Sequence, residues 1–214
     1  MKNIVGIVGF IGSGKNTAGD FFTHYHDYKQ DSFASPVKDC VCAIFGWDRE
    51  MIEGNTPSSR AWRNEPDIWW ENELDWINSP YRFVSERFTP RAAMQLFGTD
   101  LVRKHFDDGL WIKSLERRIE NYNSDVVITD GRFFNELNAI RKKNGKIIRI
   151  KKGEEPDWYE TALLANTGDY NANKIMLSTG VHPSEWSWIG YDFDEVLTND
   201  DTIDSLYSKL ELLL

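Results

Sequence analysis

An α/β fold, with helices on both sides of a mostly parallel sheet of about five strands and helical insertions between them, is predicted by three observations. The chain opens as a strand, a glycine-rich turn and a helix. A second run of valine and isoleucine at residues 125–129 leads through a short turn into another amphipathic helix. Helical spacing recurs between the remaining strand candidates, as the crossovers of parallel strands require. The 214 residues suit one domain carrying insertions. Residues 1–214 are therefore read as a single domain, with a Trp-rich insertion at about 46–88 and a lid-like segment at about 152–190.

In chain order, residues 3–8 are rich in Ile and Val and stop at Gly9, the pattern of a strand buried on both faces. Residues 15–26 bring Ala18, Phe21, Phe22 and Tyr25 to one helical face, and 28–33 form a weak second strand. Ser35 as N-cap and Pro36 in the first turn open a helix to about 45, with Val37, Val41 and Ile44 inward. From 46 to 88 Trp, Arg, Glu, Asn and Pro dominate and periodicity becomes ragged, as in an inserted, partly helical subdomain. Thr89 caps the next helix, with Pro90 at its first position, and 110–122 is again helical. Residues 125–129 are the best central strand after the first, and the helix over 133–143 ends in basic residues that suit its dipole. Strands at 146–150 and 194–197 follow, separated by loops and short helices, and a helix over 201–214 closes the chain.

The balance of 25 Lys and Arg against 34 Asp and Glu, a net charge of −9, argues against broad binding to the nucleic-acid backbone. Any phosphate ligand must be met locally. Cys40 and Cys42, one residue apart on a helix, point to different faces and cannot easily bridge, which reads as a reduced, intracellular chain. The apolar N-terminus lacks a basic leader, and no apolar stretch approaches the ~18 residues of a membrane span. The expectation is a soluble, cytoplasmic protein with neither nucleic-acid nor membrane partner.

Gly9-Phe10-Ile11-Gly12-Ser13-Gly14-Lys15-Asn16-Thr17 fits G-x-x-x-x-G-K and lies between a strand and a helix, where that spacing has physical meaning. Glycines let backbone N–H groups curl around an anion, the helix N-terminus adds positive partial charge, and Lys15 reaches terminal phosphates. Asn16 stands where Ser or Thr usually ligates Mg²⁺, and the hydroxyl comes one residue later, at Thr17. The metal is then expected to rest largely on water and nucleotide phosphate. Asp130, at the end of the 125–129 strand, is placed to orient that hydrated ion, with capping of the following helix as the other role open to it. Arg132, Arg91 and Lys38 all stand near helix starts, where a cation opposes the dipole; a bound anion explains that siting, and so does a salt bridge to one of the many acids.

The stretches GSGKNTAGDFF, FASPVKD, EGNTPSSRAWR, PRAAMQLFGTDLVRKHF with DDGLWIK, VVITDGRFFNEL and VLTNDDTIDSL together resemble the bacteriophage deoxynucleoside monophosphate kinases, a branch of the P-loop kinases. The resemblance implies a P-loop kinase-type three-layer sandwich, with ATP and Mg²⁺ as cofactors. The reaction implied is phosphorylation of a deoxynucleoside monophosphate to the diphosphate, supplying phage DNA replication from the host cytoplasm. By the same resemblance Gly12, Ser13, Gly14, Lys15, Asn16 and Thr17 hold the ATP phosphates and Asn199 lies near the adenine. Lys38, Arg60, Arg91, Gly98, Trp111, Lys113 and Arg132 surround the acceptor or the transferring group, and Thr17 and Asp130 serve the metal. Ile11 and Gly12 depart from members that carry basic residues there. His182 and Glu185 lie in a matching stretch without an assignable role.

Transfer between two phosphates demands positioning and charge neutralisation by Lys15, Arg91, Arg132 and the metal, and needs no general base, because the attacking oxygen is already ionised. Another small-molecule P-loop kinase, such as a dephospho-coenzyme A kinase, is the alternative enzyme, and a nucleotide-dependent switch without transfer the alternative of another class. The Trp residues of 62–76 are expected as an exposed face, a homodimer contact or a stacking platform.

Overall fold

The computed structural model describes residues 2–214 and divides into two compact units, residues 2–33 with 115–214, and residues 34–114. In chain order β1 (Ile4–Val8), α1 (Lys15–Tyr25) and β2 (Lys29–Asp31) belong to the first unit. The second unit carries α2 (Ser35–Phe45), α3 (Arg49–Glu53), α4 (Pro57–Trp62), α5 (Ile68–Glu73), α6 (Pro90–Gln95) and α7 (Val102–His105). The first unit resumes within α8 (Leu110–Glu120) and continues with β3 (Val126–Ile128), α9 (Phe134–Lys142) and β4 (Lys146–Lys151). It ends with α10 (Tyr159–Asn166), α11 (Tyr170–Ser178), α12 (Pro183–Trp186), β5 (Glu195–Thr198) and α13 (Ile203–Glu211).

Five parallel strands form one sheet in the order β2-β3-β1-β4-β5, with Val5 opposite Val127 on one side and Lys146 on the other. Alternation along the strands explains the layers. Val5, Ile7, Val127, Ile148 and Ile150 face Phe21 and Phe22 of α1 and Leu206 and Leu210 of α13. The opposite set faces α8 and α9: Ile4 and Ile128 share a small cavity lining with Leu115, Ile119 and Ile140. Gly6 lets Ile140 pack close to the sheet, because a Cβ there would come within 2.7 Å of Ile140 Cδ1 and force that side chain to shift. The result is helix, sheet, helix. The chain leaves β1 to one side for β2 and β3, then crosses through α9 to β4 and β5 on the other. The carboxyl end of β1 is thus a topological switch point, where open α/β sheets bind ligands.

The second unit is held by aromatic packing. Phe88 is fully buried against Phe45, Trp47 and Trp76, with ring centroids 5.3, 6.0 and 5.0 Å away. The indole N–H groups of Trp47, Trp70 and Trp76 donate to Asp67 Oδ2, Phe45 O and Ser85 O at 2.8, 2.9 and 3.1 Å, satisfying the polar edge that burial would otherwise leave unpaired. This corrects the expected exposed Trp face. Of the tryptophans at 62–76 only Trp69 is exposed, while Trp76 lies inside and Trp62 and Trp70 pack against the core. Composition failed as a guide because short helices and turns fold these rings back on residues distant in the chain.

Three smaller corrections have local causes. Ala34, not Ser35, is the N-cap of α2, since its carbonyl already accepts the Lys38 N–H at 3.0 Å; Ser35 is the first helical residue. Ile44 is exposed and Phe45 takes the inner position. The helix capped by Thr89 widens into a π-helical stretch at Leu96–Leu101 before α7 resumes. No helix among the described residues is long and apolar enough to cross a membrane, and both cysteines are free.

Candidate active site

Several helices of this chain close their N-termini with a side chain: Asp48, Thr56, Asp67, Thr89, Asp169 and Thr202 each accept an N–H of the first turn. Helix α1 does not. Its N-cap is Gly14 at φ 100°, with no side-chain cap, so the first-turn N–H groups have no intrahelical acceptor and face the loop. Only glycine suits this position, both for its backbone angle and because a Cβ would fall 2.3 Å from Asn199 Nδ2. Asn199 donates that amide to Ser13 O at 2.8 Å and its own N–H to Lys151 O at 2.7 Å, so the end of β5 buttresses the loop. The buried Ser13 Oγ has no hydrogen-bond partner. The open N–H donors at the head of α1, beside an orphaned hydroxyl, suit a phosphate group.

Lys15 folds back over the loop and donates to Gly9 O and Phe10 O at 2.8 and 2.7 Å. Burial lowers its pKa to about 8; the charge of Arg132 adds to the fall and that of Glu185 opposes it. The ammonium is therefore held where an anion would stabilise it. The loop itself is pinned by Phe10, whose ring meets Trp188, Trp158 and Tyr159 edge-on at 4.9, 5.6 and 6.3 Å. Beneath these rings Arg149 lies 5.1 and 5.2 Å from the Tyr159 and Trp188 centroids and donates to Tyr159 Oη and Glu155 Oε1. This cage was not visible in the sequence, although an aromatic residue inside a glycine loop is itself a signal that the loop has an anchor.

At the adjacent strand end, Asp130 Oδ1 accepts the Phe33 N–H at 3.0 Å. It does not cap the following helix. That task falls to Glu136, buried, whose carboxylate accepts from the N–H groups of Arg132 and Phe133 at 2.8 and 3.2 Å. An acid three residues into a helix is the second half of a capping box, so this role was legible. Arg132 Nη1 pairs with Glu185 and lies 3.4 Å from Ser184 Oγ. Asn16 is exposed and Thr17 half-buried in the first turn of α1. Among the described residues no group of three His, Cys, Asp or Glu could hold a metal. Thr17 and Asp130 carry hard oxygen donors of the kind Mg²⁺ takes.

In the second unit, Lys38 pairs with Glu53, and Arg49 Nη1 reaches the other oxygen of that carboxylate. Burial would raise the Glu53 pKa, but the two cations outweigh it and hold it below the usual carboxylate range. Arg60 Nη1 donates to Gly54 O and Asn55 O at 3.3 and 2.9 Å, and Arg63 Nη1 to Ile52 O and Glu53 O. Lys38, Arg60 and Arg63 are thus gathered at the carbonyl end of α3, where a helix dipole favours cations. Arg91, exposed in the first turn of α6, donates from Nε to Asn64 Oδ1 at 2.7 Å. Trp111 is buried with its indole N–H on Gly98 O at 2.8 Å, which brings these two together, and Lys113 pairs with Asp107 at 2.5 Å. Each residue expected around the acceptor has a protein partner.

A glycine loop at a switch point, opening onto an uncapped helix and its lysine, defines the class: an α/β fold of the P-loop type. Comparison with known proteins narrows it. The family model described as deoxynucleotide monophosphate kinase matches residues 63–162. A provisionally named deoxynucleotide monophosphate kinase of Acanthamoeba polyphaga mimivirus is 27% identical over 97% of this chain and 93% of its own length. The deoxynucleoside-5'-monophosphate kinase of Escherichia phage T5 is 26% identical over 67% of this chain and 74% of its own. Among solved structures, dephospho-CoA kinase from Campylobacter jejuni aligns with 100% of this chain and 96% of its own, at 15% identity and a TM-score of 0.47. The chain is similar to the deoxynucleotide monophosphate kinases, as its sequence motifs imply.

Proposed function

We propose that this protein transfers the γ-phosphoryl group of ATP to a deoxynucleoside monophosphate. The observation that carries the donor half is Lys15 at the head of the uncapped α1. The similarity to deoxynucleotide monophosphate kinases carries the acceptor class. The first-turn N–H groups of α1 and the loop N–H groups receive the donor phosphates, and Lys15 exchanges its two carbonyl partners for phosphate oxygens. Arg132 presents its guanidinium beside Lys15, and the two cations neutralise charge that spreads over the transferring group. Mg²⁺, when bound, adds neutralisation of the donor phosphates, and Thr17 and Asp130 are the side chains that would hold it or its waters. Lys38, Arg60, Arg91 and Lys113, with Gly98 and Trp111, read the acceptor. No residue need remove a proton, because the acceptor phosphate is ionised at neutral pH.

The test is a substrate panel. ATP with dGMP, dTMP, dCMP or dAMP, their ribose counterparts and dephospho-coenzyme A is followed by ADP release. Turnover confined to monophosphates supports the proposal. Turnover with dephospho-coenzyme A alone, or nucleotide binding with no transfer to any acceptor, would replace it with one of the two alternatives.

A further inference from the structure

Glu185 is not claimed by the mechanism above, yet it touches the residue that mechanism depends on. It stands on α12, half-buried, on a segment that is firmly seated. Trp186 beside it is buried and donates its indole N–H to Val181 O at 3.2 Å, and Asn166 Nδ2 on α10 reaches Trp186 O and Ile189 O at 2.9 and 2.8 Å. His182 Nδ1 accepts the Ser184 N–H at 3.2 Å and lies 2.9 Å from Ser184 Oγ, closing the turn that presents both Ser184 and Glu185. Both meet the same nitrogen of Arg132, Nη1. The guanidinium is thus held by one corner. Its planar fork has further donors at Nε and Nη2, and a fork gripped at one end presents the other in a fixed direction.

We infer that Glu185 is a positioning residue, which with Ser184 clamps Nη1 of Arg132 so that the remaining donors of the guanidinium are aimed at the phosphoryl group over the loop. Electrostatics favours such a clamp. Arg132 sits at the start of α9, where the dipole repels it, and close enough to Lys15 to lower the lysine's pKa. Without a counter-ion the side chain would swing to solvent, and the orienting entropy would fall on the transition state.

The inference rests on the proposed transfer reaction and on Arg132 acting in it, and a double-mutant cycle separates these layers. Wild type, Glu185→Gln, Glu185→Asp, Arg132→Ala and the Arg132→Ala/Glu185→Gln pair are assayed with ATP and the best monophosphate, and their melting temperatures recorded. Glu185→Gln is expected to lower kcat about tenfold with KM for ATP and melting temperature nearly unchanged, and Glu185→Asp to recover part of the loss. In the Arg132→Ala background the same substitution should change nothing. Wild type without transfer defeats the proposed function; a silent Arg132→Ala removes Arg132, and this inference with it. An impaired Arg132→Ala beside a neutral Glu185→Gln, or a Glu185→Gln loss of equal size in both backgrounds, overturns the positioning role alone.

Discussion

Lys15 carries the most chemistry of any single residue. Its hydrogen bonds run to loop carbonyls and not to core groups, so Lys15→Ala should abolish transfer while the protein still folds. Turnover retained within about tenfold, some 1.4 kcal/mol of barrier, would remove the phosphate-loop assignment. Its pKa gives a second expectation. The folded-state value near 8 lies below the 10.5 of an unfolded lysine, so between those values the unfolded chain binds the extra proton and Lys15 adds stability as pH rises. A bound phosphate favours the ammonium, so nucleotide affinity moves the other way. Titration calorimetry with ADP should show binding weaken by about tenfold one pH unit above that pKa, a dependence that Lys15→Ala should lack. Asp31 changes stability in the same direction with pH, but over an acidic window. Burial would raise its pKa, but Arg118, Tyr122 and the Ser32 N–H outweigh burial and lower it, so its contribution is present at neutral pH and lost as the solution is acidified through that lowered value.

At the scale of elements, what the sequence disclosed follows from what each signal measures. The strand, glycine loop and helix at the N-terminus were legible because buried parallel strands read as unbroken Ile and Val runs and because G-x-x-x-x-G-K has one physical use. The bond from Asn199 to Ser13 O was not legible, since nothing local to residue 199 says that β5 ends at the loop; the resemblance implies only that this residue lies near the adenine. The aromatic core of the second unit was misread for a related reason. Burial of Trp47 and Trp76 comes from contacts far along the chain, and periodicity over short helices cannot see them. Phe88 tests that core directly. It is fully buried among three aromatic rings, so Phe88→Ala should cost about 3–5 kcal/mol in denaturant unfolding, whereas the exposed Trp69→Ala should cost under about 1. Equal losses from the two would return the tryptophans to the surface role expected from the sequence.

Over the whole molecule, the donor and acceptor halves of the proposed reaction fall to different compact units. Lys15, Asn199, Asp130 and Arg132 belong to the unit built on the sheet, and Lys38, Arg60 and Arg91 to the unit built on the aromatic core. The halves are therefore separable in kinetics. Arg60 is the sharper probe of the acceptor half, because its guanidinium is exposed and its bonds to Gly54 O and Asn55 O leave other donors of the fork for a phosphate. Those two bonds also give it a purely structural role, closing the carbonyl end of α3, and exposed contacts of that kind contribute about 1 kcal/mol at most. If Arg60 reads the acceptor, Arg60→Ala should raise KM for the monophosphate about tenfold or more, leave KM for ATP within about twofold, and barely shift the melting temperature. Arg60→Lys, which keeps the charge but not the fork, should recover only part of the loss. A lowered melting temperature with both KM values unchanged would assign Arg60 to α3 alone, and the cations gathered at the end of that helix would then owe their placement to its dipole.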